Sequence, residues 1–331
     1  MSLQAMKLVY QPDPASQDLI FSPSSPIPKL TDPDDHLVRV KAASPCRHEL
    51  LWEATDTHLF DKGRTPPRVP CPDGAGVIVT APTPNSPFQP GDEVFFSIDY
   101  TSRAGCLAEY TIVKTGEMAL KPKTFGWPAA AAAPLSALTA WQGLYIHGNL
   151  AIPSSTSQEE NAGKRILVTG AAGSVGSWAV QLAAAAGVTS ITGVCSESKL
   201  ETAKSFGATE VLSYSSFSTP SANRYDLILD TVGGNALRDC WSVIKADVGV
   251  LLAVGSDYPE NVRPEGAPKV AKSEWYLVKQ SRDDLEAVAA LVDQGKCRAM
   301  VDSEYAMEDY KAAFEKVSDG HPNGKVVIDI S

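Results

Sequence analysis

The residues whose types and spacing point most clearly to a chemical role form a glycine-rich turn between an apolar run and a helical pattern. The segment RILVTGAAGSVGSWAVQLAAAAG starts at Arg165 and has Ala171, Gly173 and Gly176 at the three small positions of a phosphate-binding turn, the first being alanine instead of glycine. Small residues let the backbone approach a pyrophosphate, whose charge is stabilised by N–H groups at the helix start. An ordinary tight turn is the alternative. The strand-turn-helix context favours dinucleotide binding, by Ala172, Gly173, Ser174, Val175 and Gly176.

The end of the following strand, SITGVC, bears on which dinucleotide binds. Proteins that bind NAD usually carry an acid about 20 residues beyond the glycine turn, where it binds the ribose hydroxyls. Here the strand is followed by Ser196, Glu197 and, two residues later, Lys199. Ser196 can donate to a 2′-phosphate and Lys199 can supply a counter-charge, which predicts NADPH. In the alternative, Ser196 caps a helix and Lys199 is solvated, and Glu197 weakens the argument for a phosphate.

The arrangement of apolar runs indicates two domains. Up to about residue 130, short β-like runs are separated by Pro and Gly, as in a β-rich domain. From Lys164 onward, continuous apolar strands alternate with helical patterns, which is typical of a parallel sheet buried on both faces. We predict an α/β protein in which a β-rich domain, 1–130 plus 273–331, is interrupted by a doubly wound parallel-sheet domain, 131–272. Ligands of such sheets bind at the carboxyl ends of the strands, where the sequence has Val232, Val254 and Gly255.

The composition argues against several classes of partner. The net charge is −10 and no cluster of Lys and Arg is visible, so nucleic acid and anionic membranes are disfavoured. No stretch approaches the roughly 18 apolar residues of a membrane span, and the first residues lack a secretory signal. The six cysteines are scattered without a CxxC pair, which fits a reducing compartment. These features predict a cytoplasmic protein with a small-molecule substrate.

Several motifs, in this order, resemble the medium-chain dehydrogenase/reductase superfamily, specifically its zinc-independent quinone oxidoreductase-like branch. They span nearly the whole chain: VRVKAAS, PRVPCPDGAGVIV, FQPGDEVF, AEYTIV, AAAAPLSALTAWQGL, VTGAAGSVGSWAVQLA, SFGATEVLSY, YDLILDTVGG and HPNGKVVI. The resemblance implies a GroES-like catalytic domain interrupted by a Rossmann cofactor domain, with the active site and the cofactor in the cleft between them. That plan agrees with the one predicted from the apolar runs.

The resemblance also bears on metal binding. In zinc-dependent members of the superfamily, Cys, His and a further Cys or acid hold the catalytic zinc, and the matching positions here are Cys46, Pro72 and Ser136. Proline has no side-chain ligand, so the usual tetrahedral site is not available and no metal is predicted. His48 and Glu49 lie close to Cys46 in sequence and could in principle rebuild a site.

Without a metal, the substrate must already be activated. Enones, quinones and enoyl thioesters accept hydride at carbon while charge moves onto a carbonyl oxygen, so the sequence predicts reduction of an activated C=C bond. The chain is similar to fungal trans-acting enoyl reductases, which implies a polyketide or carrier-bound substrate in secondary metabolism and a monomer or homodimer. A dehydrogenase or carbonyl reductase, and a non-catalytic NADPH-binding protein, are the alternatives.

Three site residues follow from the resemblance. Thr139 matches a position that faces the nicotinamide, or it is a helical threonine bonded to its own backbone. Tyr214 matches a residue beside the adenosine, or it is an ordinary strand aromatic. Val326 resembles a residue of a returning strand near the cofactor, although valine there is also typical of a core.

The proton donor has two candidates besides water. His48 lies beside Cys46 and could donate a proton when polarised by Glu49, but a helix start with its charges facing solvent is the alternative. Tyr100, in the segment SIDYTSRAG, is the second candidate, and the alternative is an exposed loop tyrosine.

Overall fold

The structure, a computed structural model, describes residues 5–60, 68–154, 156–217, 224–255, 257–318 and 322–331. The chain divides into two compact units: the first unit is Met1–Leu135 with Lys279–Ser331, and the second is Ser136–Val278. One unit therefore interrupts the other in sequence. The second boundary lies beyond residue 273, because Ser273 and Glu274 pair with a strand of the second unit. Within the described ranges, none of the helices combines the length and apolar character needed to cross a bilayer.

Strands and helices are numbered along the whole chain. The strands are β1 (Met6–Tyr10), β2 (Ile20–Ser25), β3 (Asp35–Ser44), β4 (Asp73–Thr80), β5 (Glu93–Ser97), β6 (Tyr110–Lys114), β7 (Met118–Leu120), β8 (Arg165–Thr169), β9 (Ser190–Cys195), β10 (Glu210–Ser213), β11 (Leu227–Asp230), β12 (Val250–Ala253), β13 (Lys272–Trp275), β14 (Val301–Ala306) and β15 (Lys325–Asp329). The helices are α1 (Glu49–Thr55), α2 (Trp127–Ala131), α3 (Pro134–Trp141), α4 (Ser157–Glu160), α5 (Ser174–Ala185), α6 (Leu200–Ser205), α7 (Tyr214–Phe217), α8 (Gly234–Val243), α9 (Arg282–Asp293) and α10 (Tyr310–Ser318).

The first unit is built on mainly antiparallel strands. β1 and β2 form a hairpin, and a seven-stranded sheet has the order β14-β15-β3-β4-β5-β7, with β6 paired to β3. The long strand β3 contacts β4, β6 and β15. Its sequence, DHLVRVKAAS, is buried except around Arg39 and Lys41, which are two residues apart and so share a face of the strand. This unit is the β-rich domain that the sequence predicts.

The second unit is a six-stranded sheet in which every pairing is parallel, with the order β10-β9-β8-β11-β12-β13. Counted within the unit, this is the strand order 3-2-1-4-5-6 of doubly wound dinucleotide-binding sheets. The central strand β11 is buried at all four positions, as its continuous apolar sequence predicts. The α/β architecture predicted from sequence is confirmed. The carboxyl ends of β8, β9, β11 and β12 meet at one edge of this sheet.

The helix α3 changes its hydrogen-bond register as it continues. Residues Gln142–His147 form a π-helical segment directly after Trp141. The Tyr276 hydroxyl donates to the carbonyl of Thr139 at 2.7 Å, and the Tyr145 hydroxyl donates to the carbonyl of Leu182 at 2.7 Å. Such segments are rare and need outside partners for the carbonyl groups that they release. The Tyr276 hydroxyl therefore bonds a carbonyl just before the register change, and Tyr145, within the segment, bonds it to α5.

The polar loop that precedes β8 is held by one buried amide. Asn161 is 1% exposed. Its Oδ1 accepts from the N–H of Ala151 at 2.9 Å, and its Nδ2 donates to the carbonyls of Ala151 and Ala186 at 3.0 and 2.9 Å. The amide therefore joins the loop to the residue that ends α5, so a segment that looks like a simple surface connection has a structural role.

We expect Asn161→Ala to lower the free energy of unfolding by about 3 kcal/mol, because it leaves buried backbone groups without partners. Urea denaturation measures this change. Gln158→Ala is the matched control, since it removes an amide from an exposed position of the same loop. A loss in Asn161→Ala no larger than in the control would show that solvent replaces these hydrogen bonds.

Candidate functional site

The glycine-rich turn after β8 has the geometry that the sequence predicts. Gly170 has a φ of +63°, which favours glycine. A β-carbon on Gly176 would collide with the carbonyl group of Gly170, so only glycine allows α5 to start this close to the strand. Gly173 is the N-cap of α5, and its N–H bonds the Gly170 carbonyl at 2.7 Å. The next N–H groups of the first helical turn have no intrahelical acceptor. Together with the positive end of the helix dipole, they can bind a pyrophosphate.

Other predicted cofactor residues lie around this turn. Val232 follows β11 and is 43% exposed, and Tyr214 follows β10 and is 37% exposed. Both line an open cavity of about 510 Å³. Burial raises the pKa of Tyr214 to about 12, although a hydrogen bond from the Gly170 backbone opposes the shift. Tyr214 is thus bonded to the glycine turn, and its contact with the adenosine stays a prediction.

The turn after β12 lies close to the turn after β11. A β-carbon on Gly255 would lie 3.3 Å from the carbonyl carbon of Val232, and the N–H of Val254 donates to the Asp230 carbonyl at 3.1 Å. The structure therefore brings Val254 and Gly255 together with Val232 at the carboxyl edge of the sheet, where ligands of doubly wound sheets bind.

The residues that would distinguish the two nucleotides follow β9. Ser196 is exposed and precedes the 3₁₀ turn Glu197–Lys199, but its side chain makes no capping hydrogen bond. Lys199 is partly buried, and its charge lowers the pKa of Cys195 against the dominant effect of burial, which raises it. The Ser196 hydroxyl thus does not make the helix-capping hydrogen bond that the alternative interpretation requires.

Two predicted residues belong to strands or helices that bury them. Val326 is 1% exposed in β15 of the first unit, and its carbonyl accepts from the Ser44 hydroxyl at 2.7 Å. A contact of Val326 with the cofactor stays a prediction. Thr139 is 7% exposed in α3 and belongs to the second unit. The other three candidate catalytic residues, Cys46, His48 and Tyr100, belong to the first.

A buried cluster surrounds Cys46 in the first unit. The Lys325 ammonium lies 3.1 Å from the Cys46 Sγ and 3.0 Å from Oδ2 of Asp73, a residue with no exposed surface. The two carboxylate oxygens of Glu49 accept the N–H groups of Cys46 and Cys71, both at 3.0 Å. The sequence analysis did not single out Lys325 or Asp73, although both lie in the motifs that carry the resemblance.

Burial and neighbouring charges shift the pKa values of the groups in this cluster. Burial raises the pKa of Cys46 to about 12, so its thiol stays protonated at neutral pH. Burial opposes a charge on Lys325, but the neighbouring Cys46 and Asp73 raise its pKa well above the usual value. Burial also raises the pKa of Glu49 to about 7, against the two backbone hydrogen bonds. The cluster therefore holds a fixed ammonium beside a neutral thiol.

The two candidate proton donors have different surroundings. His48 is exposed, has a φ of +61° and is the N-cap of α1, while Glu49 directs its carboxylate to backbone groups instead of polarising it. Tyr100 is partly buried, with its ring 4.8 Å from that of Trp52 and 6.2 Å from that of Phe60. Burial raises the pKa of Tyr100 above its usual value, so its phenol keeps the proton. Which of the two residues donates a proton stays a prediction.

The residues present do not fit the zinc site of zinc-dependent relatives. Among the residues that the structure describes, no group of three or more His, Cys, Asp or Glu side chains is placed to hold a metal ion. Pro72 offers no ligand, and a cation at Cys46 would lie beside the Lys325 ammonium. Ser136 belongs to the second unit.

Comparison with known protein families agrees with both units. Residues 32–124 match the alcohol dehydrogenase GroES-like domain, and residues 206–328 match the zinc-binding dehydrogenase family. A quinone oxidoreductase from Coxiella burnetii superposes with a TM-score of 0.80 at 20% identity, covering 99% of each chain. An NAD-dependent alcohol dehydrogenase also gives 0.80, at 23% identity, over 99% of this chain and 100% of that one. These likenesses confirm a GroES-like unit interrupted by a Rossmann-like unit.

Curated relatives match nearly the whole chain. A protein of Arthroderma benhamiae, named a probable zinc-binding oxidoreductase, mitochondrial, is 40% identical over 97% of this chain and 96% of its own. The human mitochondrial NAD(P)H oxidoreductase is 28% identical over 94% of this chain and 86% of its own. The 2-methylene-furan-3-one reductase of Solanum lycopersicum is 30% identical over 84% of this chain and 66% of its own.

These names correct one expectation from the sequence. The prediction of a cytoplasmic protein is wrong, since the fungal and human relatives are both named mitochondrial. Charge and cysteine spacing indicate a reducing aqueous compartment but do not distinguish one such compartment from another. With 40% identity to a relative over 97% of its length, the chain belongs to the medium-chain dehydrogenase/reductase superfamily, as an oxidoreductase that uses a nicotinamide cofactor.

Proposed function

We propose that this protein is an NADPH-dependent reductase that delivers hydride, without a metal ion, to a C=C bond conjugated to a carbonyl group. The glycine turn of the second unit carries this proposal. Gly170, Gly173 and Gly176 let exposed N–H groups face a pyrophosphate, and the turns after β11 and β12 converge on the same edge. When bound there, the reduced nicotinamide supplies the hydride.

The choice of an activated C=C bond rests on the protein groups available. No described cluster of ligands supports a Lewis acid, so the acceptor must be polarised by conjugation and stabilised by hydrogen-bond donors as charge develops on its oxygen. The Tyr100 phenol keeps its proton and can donate to such an oxygen. The name of the tomato relative describes a methylene group beside a ring ketone, which is an acceptor of this kind. Thr139 remains a proposed contact to the nicotinamide or the substrate carbonyl.

Several finer points rest on the resemblance alone. A polyketide or carrier-bound substrate, a role in fungal secondary metabolism and a monomeric or homodimeric state stay predictions. The mitochondrial names of two relatives support a mitochondrial location for this chain instead.

The preference for NADPH depends on the turn after β9. Ser196 and Lys199 can bind a 2′-phosphate there, and β9 ends at Cys195 without the acid that would repel it. We expect Lys199→Ala to raise the KM for NADPH about tenfold and to leave the KM for NADH within about twofold, because only NADPH loses a charge-assisted contact. Steady-state kinetics with both nucleotides measure this difference.

Lys204→Ala is the matched control for that variant, since it removes an exposed lysine from the following helix. Equal KM values for the two nucleotides in the wild-type protein, unchanged in Lys199→Ala, would reject the NADPH assignment.

The proposal of a metal-free reaction conflicts with the name of the Arthroderma relative, and metal analysis decides between them. We expect purified protein to contain far less than one zinc ion per chain and to keep its activity after dialysis against a chelator, because Pro72 offers no ligand and a cation at Cys46 would lie beside the Lys325 ammonium. Stoichiometric zinc whose removal abolishes turnover would overturn this part of the proposal.

The reaction itself is tested with a pair of acceptors. We expect an enone to oxidise NADPH and its saturated ketone not to do so. We also expect Tyr100→Phe to lower kcat for the enone by at least about tenfold, because the phenol no longer donates to the developing charge. The phenylalanine ring preserves packing against Trp52 and Phe60.

Tyr305→Phe, on β14 of the same unit, is the control for loss of a phenol elsewhere. Faster NADPH oxidation with the saturated ketone would instead identify a carbonyl reductase. Saturable NADPH binding without turnover of enones or quinones would identify a non-catalytic binding protein.

A further inference from the structure

Asp230, the last residue of β11, is a buried carboxylate that none of the steps above uses. Its side chain has no exposed surface. Oδ1 accepts from the Thr169 hydroxyl at 2.5 Å, and Oδ2 accepts from the N–H groups of Gly233 at 2.7 Å and Val232 at 3.3 Å. A buried carboxylate is costly unless it is hydrogen-bonded, and here its side-chain partners all lie at the ends of β8 and β11.

Thr169 extends this bonding to the glycine turn. Its Oγ1 accepts from the N–H of Thr231 at 3.0 Å, and its carbonyl accepts from the Thr231 hydroxyl at 2.9 Å. Gly170 follows at once, and a β-carbon there would collide with the Thr231 hydroxyl. The glycine turn therefore packs directly against the turn after β11, which is hydrogen-bonded to the Asp230 carboxylate.

The third turn of the site is attached to the same residue. The backbone carbonyl of Asp230 accepts from the N–H of Val254 at 3.1 Å. The turns after β8, β11 and β12 thus all bond to Asp230 directly or through Thr169. Hydrogen bonds to a charged acceptor are stronger than those between neutral groups, so the positions of the turns after β8 and β11 depend on this carboxylate, while the turn after β12 is bonded to the Asp230 backbone.

We propose that Asp230 is a positioning residue for the dinucleotide, because its carboxylate fixes the turns after β8 and β11 at the sheet edge in the arrangement that binds the nucleotide. This inference rests on the proposed function. Asp230 does not contact the nucleotide itself, since both of its oxygens are engaged below the surface. Its effect passes through the backbone of Gly170 and Val232.

The same strand contains a natural control. Asp226, at the opposite end of β11, accepts the N–H of Arg165 in β8 at 2.9 Å and the Lys245 ammonium at 2.7 Å. Its carbonyl accepts from the N–H of Val250 in β12 at 2.9 Å. Asp226 therefore joins the same three strands at their amino ends. Its loss should cost stability without moving the turns of the site.

The experiment compares Asp230→Asn with Asp226→Asn. The dissociation constant of NADPH is measured by fluorescence titration well below the melting temperature, and stability is measured by urea denaturation. We expect Asp230→Asn to raise the dissociation constant about tenfold and Asp226→Asn to change it by less than about twofold, although both lower stability. A purely structural role for Asp230 would not separate the two variants.

Thr169→Val and Thr169→Ser provide a second pair in case Asp230→Asn does not fold. The valine variant removes the hydroxyl between the two turns and should also weaken NADPH binding, while serine keeps the hydroxyl and should bind as the wild type does. Unchanged binding in Asp230→Asn or Thr169→Val, or equal weakening in Asp226→Asn, would overturn the inference while wild-type binding leaves the proposed function standing. If wild-type protein shows no saturable NADPH binding, the proposed function fails and this inference fails with it.

Discussion

The second unit depends on one close approach, between the carbonyl of Gly170 and the first turn of α5 at Gly176. A hydrogen atom fits there and a methyl group does not. This contact lets the helix start at the end of β8, so that its free N–H groups lie over the carboxyl edge of the sheet. The turn after β12 lies against the turn after β11, where a β-carbon on Gly255 would be 3.3 Å from the carbonyl carbon of Val232. A restriction on the size of the side chain at position 176 thus places the N–H groups of the first turn of α5 at the edge where ligands bind.

The first unit solves a different problem, which is how to keep charge in a dry interior. Lys325 is buried between Asp73 and Cys46, and Glu49 is bonded to two backbone N–H groups. Burying an unpaired charge is strongly unfavourable, but an ion pair with additional hydrogen bonds can be retained. Burial raises the pKa of the Cys46 thiol, and the Lys325 ammonium beside it opposes that shift and would repel a second cation.

Sequence patterns predicted the parts of this molecule that are local. The interrupted plan and the parallel sheet follow from apolar runs, and the glycine turn follows from a spacing within a few residues. The contacts that join distant segments were not predictable in this way. Nothing in GKVVI states that Lys325 will reach Asp73, and the direction of the Glu49 carboxylate depends on where the backbone of Cys71 lies. The exposure of His48 and the partial burial of Tyr100 also depend on contacts with distant segments, which the sequence does not reveal. Only one sequence feature could have drawn attention to Asp230, which is that an acidic residue ends an otherwise apolar strand.

The π-helical segment Gln142–His147 has a consequence for helix geometry. Each residue of a regular helix advances the chain by about 100° around its axis. Tyr145, within the segment, is anchored to Leu182, and Thr139, which precedes it, is anchored to Tyr276. Because each residue of the wider π register rotates the chain by less than this, deleting a residue between these anchors would restore regular winding and change the angle between Thr139 and Tyr145 by less than one residue's rotation. The number of residues in this helix therefore sets the angle between its side chains around the helix axis. An insertion or deletion there would change side-chain orientation without changing the fold.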